Sequence, residues 1–319
     1  MQSIALAMLI SLVFGVALSR YLDYLDDSVN SAEEVEKTLR LPALAVIPAI
    51  GSLARRKLLA PNMALQKRSG RNGSGLSSPL LLELDARSPL AEAYKQLRTS
   101  VLLSSAGGAP KTLLVTSSQP AEGKTTTAVN TATSLAQTGA SVLVVDADMR
   151  RPRLHTILET DNTRGLSTIL ASKMSEVEML SLIEQHTESG LYVLPSGPIP
   201  PNPAELTGSE QMRRLLAVLE ANFDHIVIDS PPIASFTDGV LIAAMVDGVL
   251  LVVHGGRSSR TVVKRARQVL QDVGAKIFGV VLNNVTLSTK DYYYKYYYNH
   301  YNYYKTGQDP DELAPSANS

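Results

Sequence analysis

The sequence predicts an α/β fold with a mainly parallel, doubly wound sheet. Short apolar, β-branched runs alternate with helix-length stretches from Thr112 to Leu282, which is the pattern of βαβ units covered on both faces. The 319 residues are 45% hydrophobic and 19% charged, enough for one large domain plus appendages and unlike a disordered chain. Acidic residues follow directly on two of the apolar runs, and open parallel sheets bind ligands beyond the carboxyl ends of their strands.

Composition excludes several classes. The formal net charge is zero, so no global basic field points to nucleic acid. Cysteine is absent, which rules out disulfides and thiolate metal sites and is compatible with a cytoplasmic domain. Of 13 tyrosines, nine crowd between Tyr292 and Tyr304. No repeat of 20–50 residues is visible.

Met1 to Ser19 carries no charged side chain, and Ile4 to Leu18 is almost wholly apolar. Nineteen helical residues at about 1.5 Å each reach about 28 Å, close to the ~30 Å core of a bilayer. The expectation is one transmembrane helix over residues 1–19. A signal peptide would want a basic start, which Met1-Gln-Ser lacks; a buried core helix is the other rival. Arg20 and the basic residues beyond it place the carboxyl-terminal side in the cytoplasm. Asp23, Asp26 and Asp27 weigh little in that rule.

Residues 20–86 read as a juxtamembrane segment and linker. Tyr21 to Leu41 has amphipathic character, with Val35 and Leu39 four apart, and Leu41 to Pro48 reads as a short extended piece. Gly51 to Leu82 holds Arg55, Arg56, Lys57, Lys67, Arg68 and Arg71 and no acid. Such a stretch is either drawn to anionic headgroups or a solvated linker, as Gly70 to Pro79 suggests. Ser88-Pro89 then opens a helix to about Ser104, with Ser at the N-cap and Pro in the first turn. Glu92, Lys95 and Arg98 recur every three residues on it, which by itself describes an ordinary charged solvent face.

Thr112 to Thr127 reads as strand, turn, and Gly123-Lys124-Thr125 opening a helix that stops near Gly139. Backbone N–H groups of such a loop point at a phosphate, and the helix end adds partial positive charge. Lys124 would reach the β- and γ-phosphates and the Thr125 hydroxyl would hold Mg²⁺. Ser118 stands where the strict G-x-x-x-x-G-K-[ST] pattern has its first Gly. The bland reading is a Gly-Lys turn in a surface loop; the flanking strand and helix favour a P-loop NTPase.

Further strands are expected at Ser141–Asp146, Leu191–Pro195, His225–Asp229, Gly248–Val253 and Ile277–Leu282, with helices near 209–222, 238–246 and 259–273. Asp146, Asp148 and Asp229 fall at strand ends. A single Asp there is usually a cap or turn residue. Three beside one phosphate loop, with Thr125, read as surrounding a Mg²⁺ ion, some through water or on the nucleophile, because Mg²⁺ takes few carboxylates directly. Asn283 or Asn284 could meet a base or simply turn the chain.

Gln119-Pro-Ala-Glu-Gly-Lys-Thr125, Val142-Leu-Val-Val-Asp-Ala-Asp-Met-Arg150 and Ile226-Val-Ile-Asp-Ser-Pro231 resemble the Walker A, A′ and B motifs of bacterial tyrosine kinases. These are autokinases attached to polysaccharide chain-length and export machinery. Gly197-Pro-Ile-Pro-Pro-Asn-Pro-Ala-Glu-Leu206 and the tyrosine-rich tail are similar to that family too. The resemblance implies ATP and Mg²⁺ as cofactors, with Gln119, Pro120, Ala121, Glu122, Gly123, Lys124, Thr125 and Thr126 on the nucleotide. It implies a metal shell of Thr125, Asp146 and Asp229, catalysis by Lys124 with Asp146, Asp148 and Asp229, and Asp148 as the group that orients or deprotonates the tyrosine hydroxyl. The implied acceptors are Tyr292, Tyr293, Tyr294, Tyr296, Tyr297, Tyr298, Tyr301, Tyr303 and Tyr304, reached in trans.

The resemblance also turns Glu92, Lys95 and Arg98 into a subunit-contact helix, E-x-x-R-x-x-R, in a ring-like homo-oligomer. Lys95 replaces the first Arg, which keeps charge but loses bidentate geometry. Implied partners are polysaccharide co-polymerase and export proteins, a cognate tyrosine phosphatase and the bacterial inner membrane, with no nucleic acid. Membrane-fused relatives carry an extracytoplasmic domain between two spans; only what looks like the second span is present. The domains expected are thus residues 1–19, 20–86, 87–287 and a disordered tail, 288–319. Read alone, that tail is either simply mobile or a base-stacking tract. A membrane-anchored assembly ATPase of the partition and division-site class is the chief rival, but it carries Lys where Gln119 stands. A non-catalytic, nucleotide-controlled scaffold is the third reading.

Overall fold

The computed structural model describes residues 11–15, 27–49, 88–105 and 108–286. Eight strands form one sheet in the order β1-β8-β7-β2-β6-β3-β5-β4. They are β1 (Ala43–Pro48), β2 (Thr112–Ser117), β3 (Val142–Asp146), β4 (Glu184–Gln185), β5 (Tyr192–Leu194), β6 (His225–Asp229), β7 (Gly248–His254) and β8 (Ile277–Val285). All neighbours are parallel except β4 against β5. The central strands are mostly apolar and buried along nearly their whole length, as a sheet covered on both sides requires.

The helices are α1 (Ala32–Leu39), α2 (Pro89–Leu102), α3 (Lys124–Ala136), α4 (Leu154–Ile157), α5 (Leu166–Ala171), α6 (Glu176–Leu180), α7 (Pro203–Thr207), α8 (Glu210–Asn222), α9 (Asp238–Ala243) and α10 (Arg260–Asp272). Serine caps start several of them. Ser88 accepts from Ala91 N ahead of Pro89, Ser209 from Met212 N, and Ser259 from Val262 N. Each such cap satisfies an orphan N–H and is worth about 1 kcal/mol.

One face of the sheet is covered by α2 and α3, which bury Leu90, Tyr94, Leu97, Val101, Val129 and Leu135. The other is covered by α5, α8, α9 and α10 around Ile169, Leu215, Ile242 and Leu270. Beside them, α1 and α10 close over β1, β7 and β8 through Val35, Leu39, Val263 and Val280. Truncating one of these, such as Leu97 at 0% exposure, would cost about 2–5 kcal/mol.

The doubly wound, mainly parallel sheet stands as expected, with two additions. The extended piece before Pro48 is an edge strand of the sheet, pairing Ala43 with Val280 and Val46 with Leu282. Between Arg151 and Gly190 lie three short helices and β4, for which the sequence held no periodic signal. Of the expected transmembrane helix, residues 11–15 are described; they are helical, with Leu12, Val13 and Phe14 exposed. No helix among the described residues is long and apolar enough to cross a membrane. The rest of that segment, the basic linker and the tyrosine-rich tail lie outside the described residues.

Candidate active site at the carboxyl edge of the sheet

Strand order places the phosphate-type loop in the middle of the sheet. β2, which feeds the loop, sits between β7 and β6, and β3 lies beyond β6. The register puts Val115 opposite Asp229 and Asp229 opposite Asp146, so both acids end their strands beside the loop.

The loop turns through two left-handed residues, Ala121 at φ 63° and Gly123 at φ 93°. Gly123 is required twice over. An added Cβ would lie 2.1 Å from Asn283 Nδ2, and L side chains seldom adopt that φ. Asn283 Nδ2 donates to Glu122 O at 2.9 Å, so β8 braces the loop. Asn283 is thus committed to the loop backbone, and Asn284 Nδ2 meets His254 Nε2 at 2.7 Å.

Ser118 shows why the missing first glycine is tolerated. Its φ is not positive, and its hydroxyl donates to Glu122 Oε1 at 2.8 Å. Gln119 N donates to Glu122 Oε2 at 2.8 Å, and Ser258 Oγ donates to Oε1. Burial pushes the Glu122 carboxyl above its ordinary range, and the bonds from Ser258 and Gln119 pull against it. Within the expected nucleotide loop, then, the Glu122 side chain is a strut rather than a ligand group. The sequence marked Ser118 only as a departure from the loop pattern and gave no sign of Ser258, because a serine in a polar turn carries no signal of its own.

Lys124 starts α3 and its Nζ lies 2.8 Å from Asp148 Oδ2. Burial alone would lower the lysine pKa, but Asp229, Asp148 and Asp146 together hold it above the usual value, so the ammonium stays charged. Asp146 is fully buried. Its Oδ2 accepts from Arg153 N and Leu154 N, both at 3.0 Å, and caps α4; its Oδ1 accepts from Asp148 N at 3.2 Å. Burial, then the charge of Asp229, pushes Asp146 up to about 7. Burial pushes Asp229 up to about 6, against the pull of Lys124 and the adjacent Thr125 hydroxyl.

Neither oxygen of Asp229 has a well-formed hydrogen bond among the described residues, although both are buried. A buried carboxylate left open beside a charged lysine and the Thr125 hydroxyl is a donor set suited to a hard cation that brings its own water and phosphate ligands. Asp146 has its oxygens largely engaged by backbone. Next to this cluster Arg150 pairs with buried Asp238 at 3.1 Å and stacks 4.3 Å over Phe236, tying the chain after β3 to the chain after β6.

The residues expected at a subunit contact are engaged within the chain. Exposed Glu92 pairs with half-buried Lys95 at 3.1 Å, and Arg98 Nη1 donates to Ser134 O of α3 at 2.8 Å. The nine expected acceptor tyrosines lie outside the described residues.

Central strand, glycine-lysine loop, helix and two strand-end acids define a P-loop nucleotide-binding protein. A family model described as an AAA domain matches residues 111–275. Tyrosine-protein kinase YwqD of Bacillus subtilis (strain 168) is 36% identical over 235 residues, 74% of this chain and 96% of that protein. The solved kinase domain of Escherichia coli tyrosine kinase ETK superposes with a TM-score of 0.68 at 28% identity, covering 82% of this chain and 96% of that one. The chimerical protein CapA2B2 gives 0.65 at 31% identity, covering 81% and 100%. The chain belongs to the bacterial tyrosine-protein kinases and is a protein-tyrosine kinase.

Proposed function

We propose that this kinase transfers the γ-phosphoryl group of ATP to its own carboxyl-terminal tyrosines, in trans within a ring-like homo-oligomer. The observation that carries this is the charged Lys124 ammonium among three strand-end carboxylates, with Asp229 unsatisfied. Phosphoryl transfer of this kind is mostly positioning and charge stabilisation. Loop amides and Lys124 would cradle the β- and γ-phosphates once the ammonium leaves Asp148. Asp148, released from that pair, would accept the tyrosine proton as the new phosphorus–oxygen bond forms and ADP departs. Thr125 and Asp229 would hold Mg²⁺ directly and Asp146 through water; the ion supplies charge neutralisation on the phosphates.

The apolar Met1–Ser19 stretch supports a single membrane span, with the kinase domain on the cytoplasmic side of a bacterial inner membrane. Phosphates add about −1.5 to −2 charge each, so a modified tail would loosen the ring and thereby regulate a polysaccharide export assembly, with a cognate phosphatase reversing the change. The deciding experiment is mass spectrometry after incubation with Mg²⁺ and ATP, using the native chain and Lys124→Met. Phosphotyrosine between Tyr292 and Tyr304 in the native chain alone is the expected result. ATP binding with no tyrosine modified would favour a nucleotide-controlled scaffold.

A further inference from the structure

From Gly248 to Gln271 the chain contains no acidic residue, yet it carries Arg257, Arg260, Lys264, Arg265 and Arg267. Most of this charge lies on α10, whose inner face is Val263, Ala266 and Leu270. Arg260 is engaged by Glu34. Arg257, Lys264 and Arg265 are exposed, and the latter two flank Gln268 in the middle of the outer face. The exposed acids of neighbouring α1, Glu33 and Glu36, are matched on the same element by Lys37 and Arg40. Two exposed acids share this surface, Asp272 at the end of α10, which accepts from Gln268 Nε2 at 2.7 Å, and Asp27 beside Ser259; Arg257, Lys264, Arg265 and Arg267 outnumber them, so the surplus on this side is positive.

The amino-terminal end of α10 is also where the amino-terminal segment is fastened. Val29 N donates to Ser258 O at 2.9 Å, Gly256 N to Val29 O at 2.8 Å, and Arg260 N to Asp27 O at 2.7 Å. From Arg20 to Asp27 the chain can span at most about 24 Å. A membrane helix ending at Ser19 thus keeps the start of α10 within that distance of the headgroups. Lys264 lies only about 6 Å further along the helix axis.

We propose that the outer face of α10 lies against anionic lipid headgroups, with Arg257, Lys264 and Arg265 as the contacts. This rests on the single-span reading above. A basic helix face tethered this close to a bilayer meets a fixed, high concentration of negative charge.

The chain lacks cysteine, so a single introduced thiol carries a unique label. The full chain, reconstituted in vesicles of phosphatidylcholine with or without phosphatidylglycerol, is labelled at Gln268→Cys or, on the opposite side of the sheet, at Gln137→Cys. Headgroup-attached spin-label quenchers then report proximity. Quenching at position 268 is expected to exceed that at 137 by at least about threefold in anionic vesicles, and to vanish in neutral vesicles or at ~1 M salt. The exposed pair Lys264→Glu and Arg265→Glu should abolish it while leaving tail phosphorylation intact. Equal quenching at both positions, indifference to lipid charge, or a label that responds to added polyanion but not to vesicles overturns the proposal. Alkaline carbonate washing reads the span separately. A chain that resists extraction yet shows no quenching at 268 keeps the span and discards the docked face. A chain that is extracted but was quenched keeps the face and discards the span.

Discussion

Lys124 Nζ lies 2.8 Å from Asp148 Oδ2, so the lysine proposed to bind phosphate is paired with the carboxylate proposed to receive the tyrosine proton. In the proposed mechanism each would leave the other before transfer. The pair also offsets the charge of a cluster containing Asp146 and Asp229. Removing one partner of a buried pair leaves the other uncompensated. Lys124→Met should abolish phosphotyrosine and destabilise the empty protein by about 3 kcal/mol at pH 8. Near pH 5 the loss should be much smaller, because Asp146 and Asp229 can then take protons. Urea unfolding at the two pH values checks this; an equal loss at both contradicts it.

Asp148→Asn separates the proposed base from binding. Transfer should slow by about 10²–10⁴, while affinity for Mg²⁺ and ATP changes only a few-fold. Single-turnover transfer and nucleotide titration give the two numbers. A variant unchanged in both leaves Asp148 without a role in the proton transfer.

The two buried acids set a pH dependence with a definite sign. Asp146 and Asp229 titrate at about 7 and about 6 in the fold, above their ordinary 3.8. The folded state therefore keeps protons that the unfolded chain releases. Their contribution to stability is fully present below about pH 4 and is lost as pH rises toward 7. Its size is on the order of a few kcal/mol. The urea midpoint of the empty protein should fall over that range more steeply than that of Asp229→Asn. Stabilisation by Mg²⁺ with ATP, in which the cation would be held by the ionised carboxylates, should grow over the same range. Parallel midpoint curves for the two proteins would refute the assignment.

Gly123 and Asn283 form a testable couple. Gly123→Ala places a methyl on Asn283 Nδ2 and keeps the strained φ of 93°. It should weaken nucleotide binding by more than about tenfold through the distorted loop. Gly123→Ala with Asn283→Ala removes the clash, so stability should recover in part. Affinity should not, because the φ strain persists and the brace on Glu122 O is gone. Full recovery of affinity would show that the clash alone was at fault.

Ser118→Gly restores the strict loop pattern yet removes a donor to buried Glu122. It should cost about 0.5–1.5 kcal/mol and bring no gain in transfer rate, as thermal unfolding and a kinase assay can show.

Much of the site was legible because its residues sit at places fixed by strand periodicity. Lys124 follows one apolar run, and Asp146 and Asp229 end two others. What was not legible acts across the sequence. β1 looks like any short extended piece until its partner in β8 is known. Helices α4 to α6 have four to six residues, too few for a 3.6-residue period to register. Their order comes from tertiary bonds such as the cap that Asp146 places on α4. Asn283 looked equally suited to a base or a turn because its use depends on a loop residue 161 positions away. Arg98 has the spacing of an exposed residue, but within the chain it is committed to the carbonyl of Ser134.

The pairing of the first strand with the last has a cost measured in time. Val280 lies more than 230 residues downstream of its partner Ala43. At about 5–20 residues per second, a ribosome takes roughly 10–50 s to make the intervening chain. For that interval β1 is an apolar strand with no neighbour, and closing it onto the sheet is a late event of high contact order. The catalytic core from β2 to β7 can assemble around the phosphate loop in the meantime. The edge that carries the amino-terminal segment, and with it the fastening to Ser258 and Arg260, is sealed only when the kinase domain is complete.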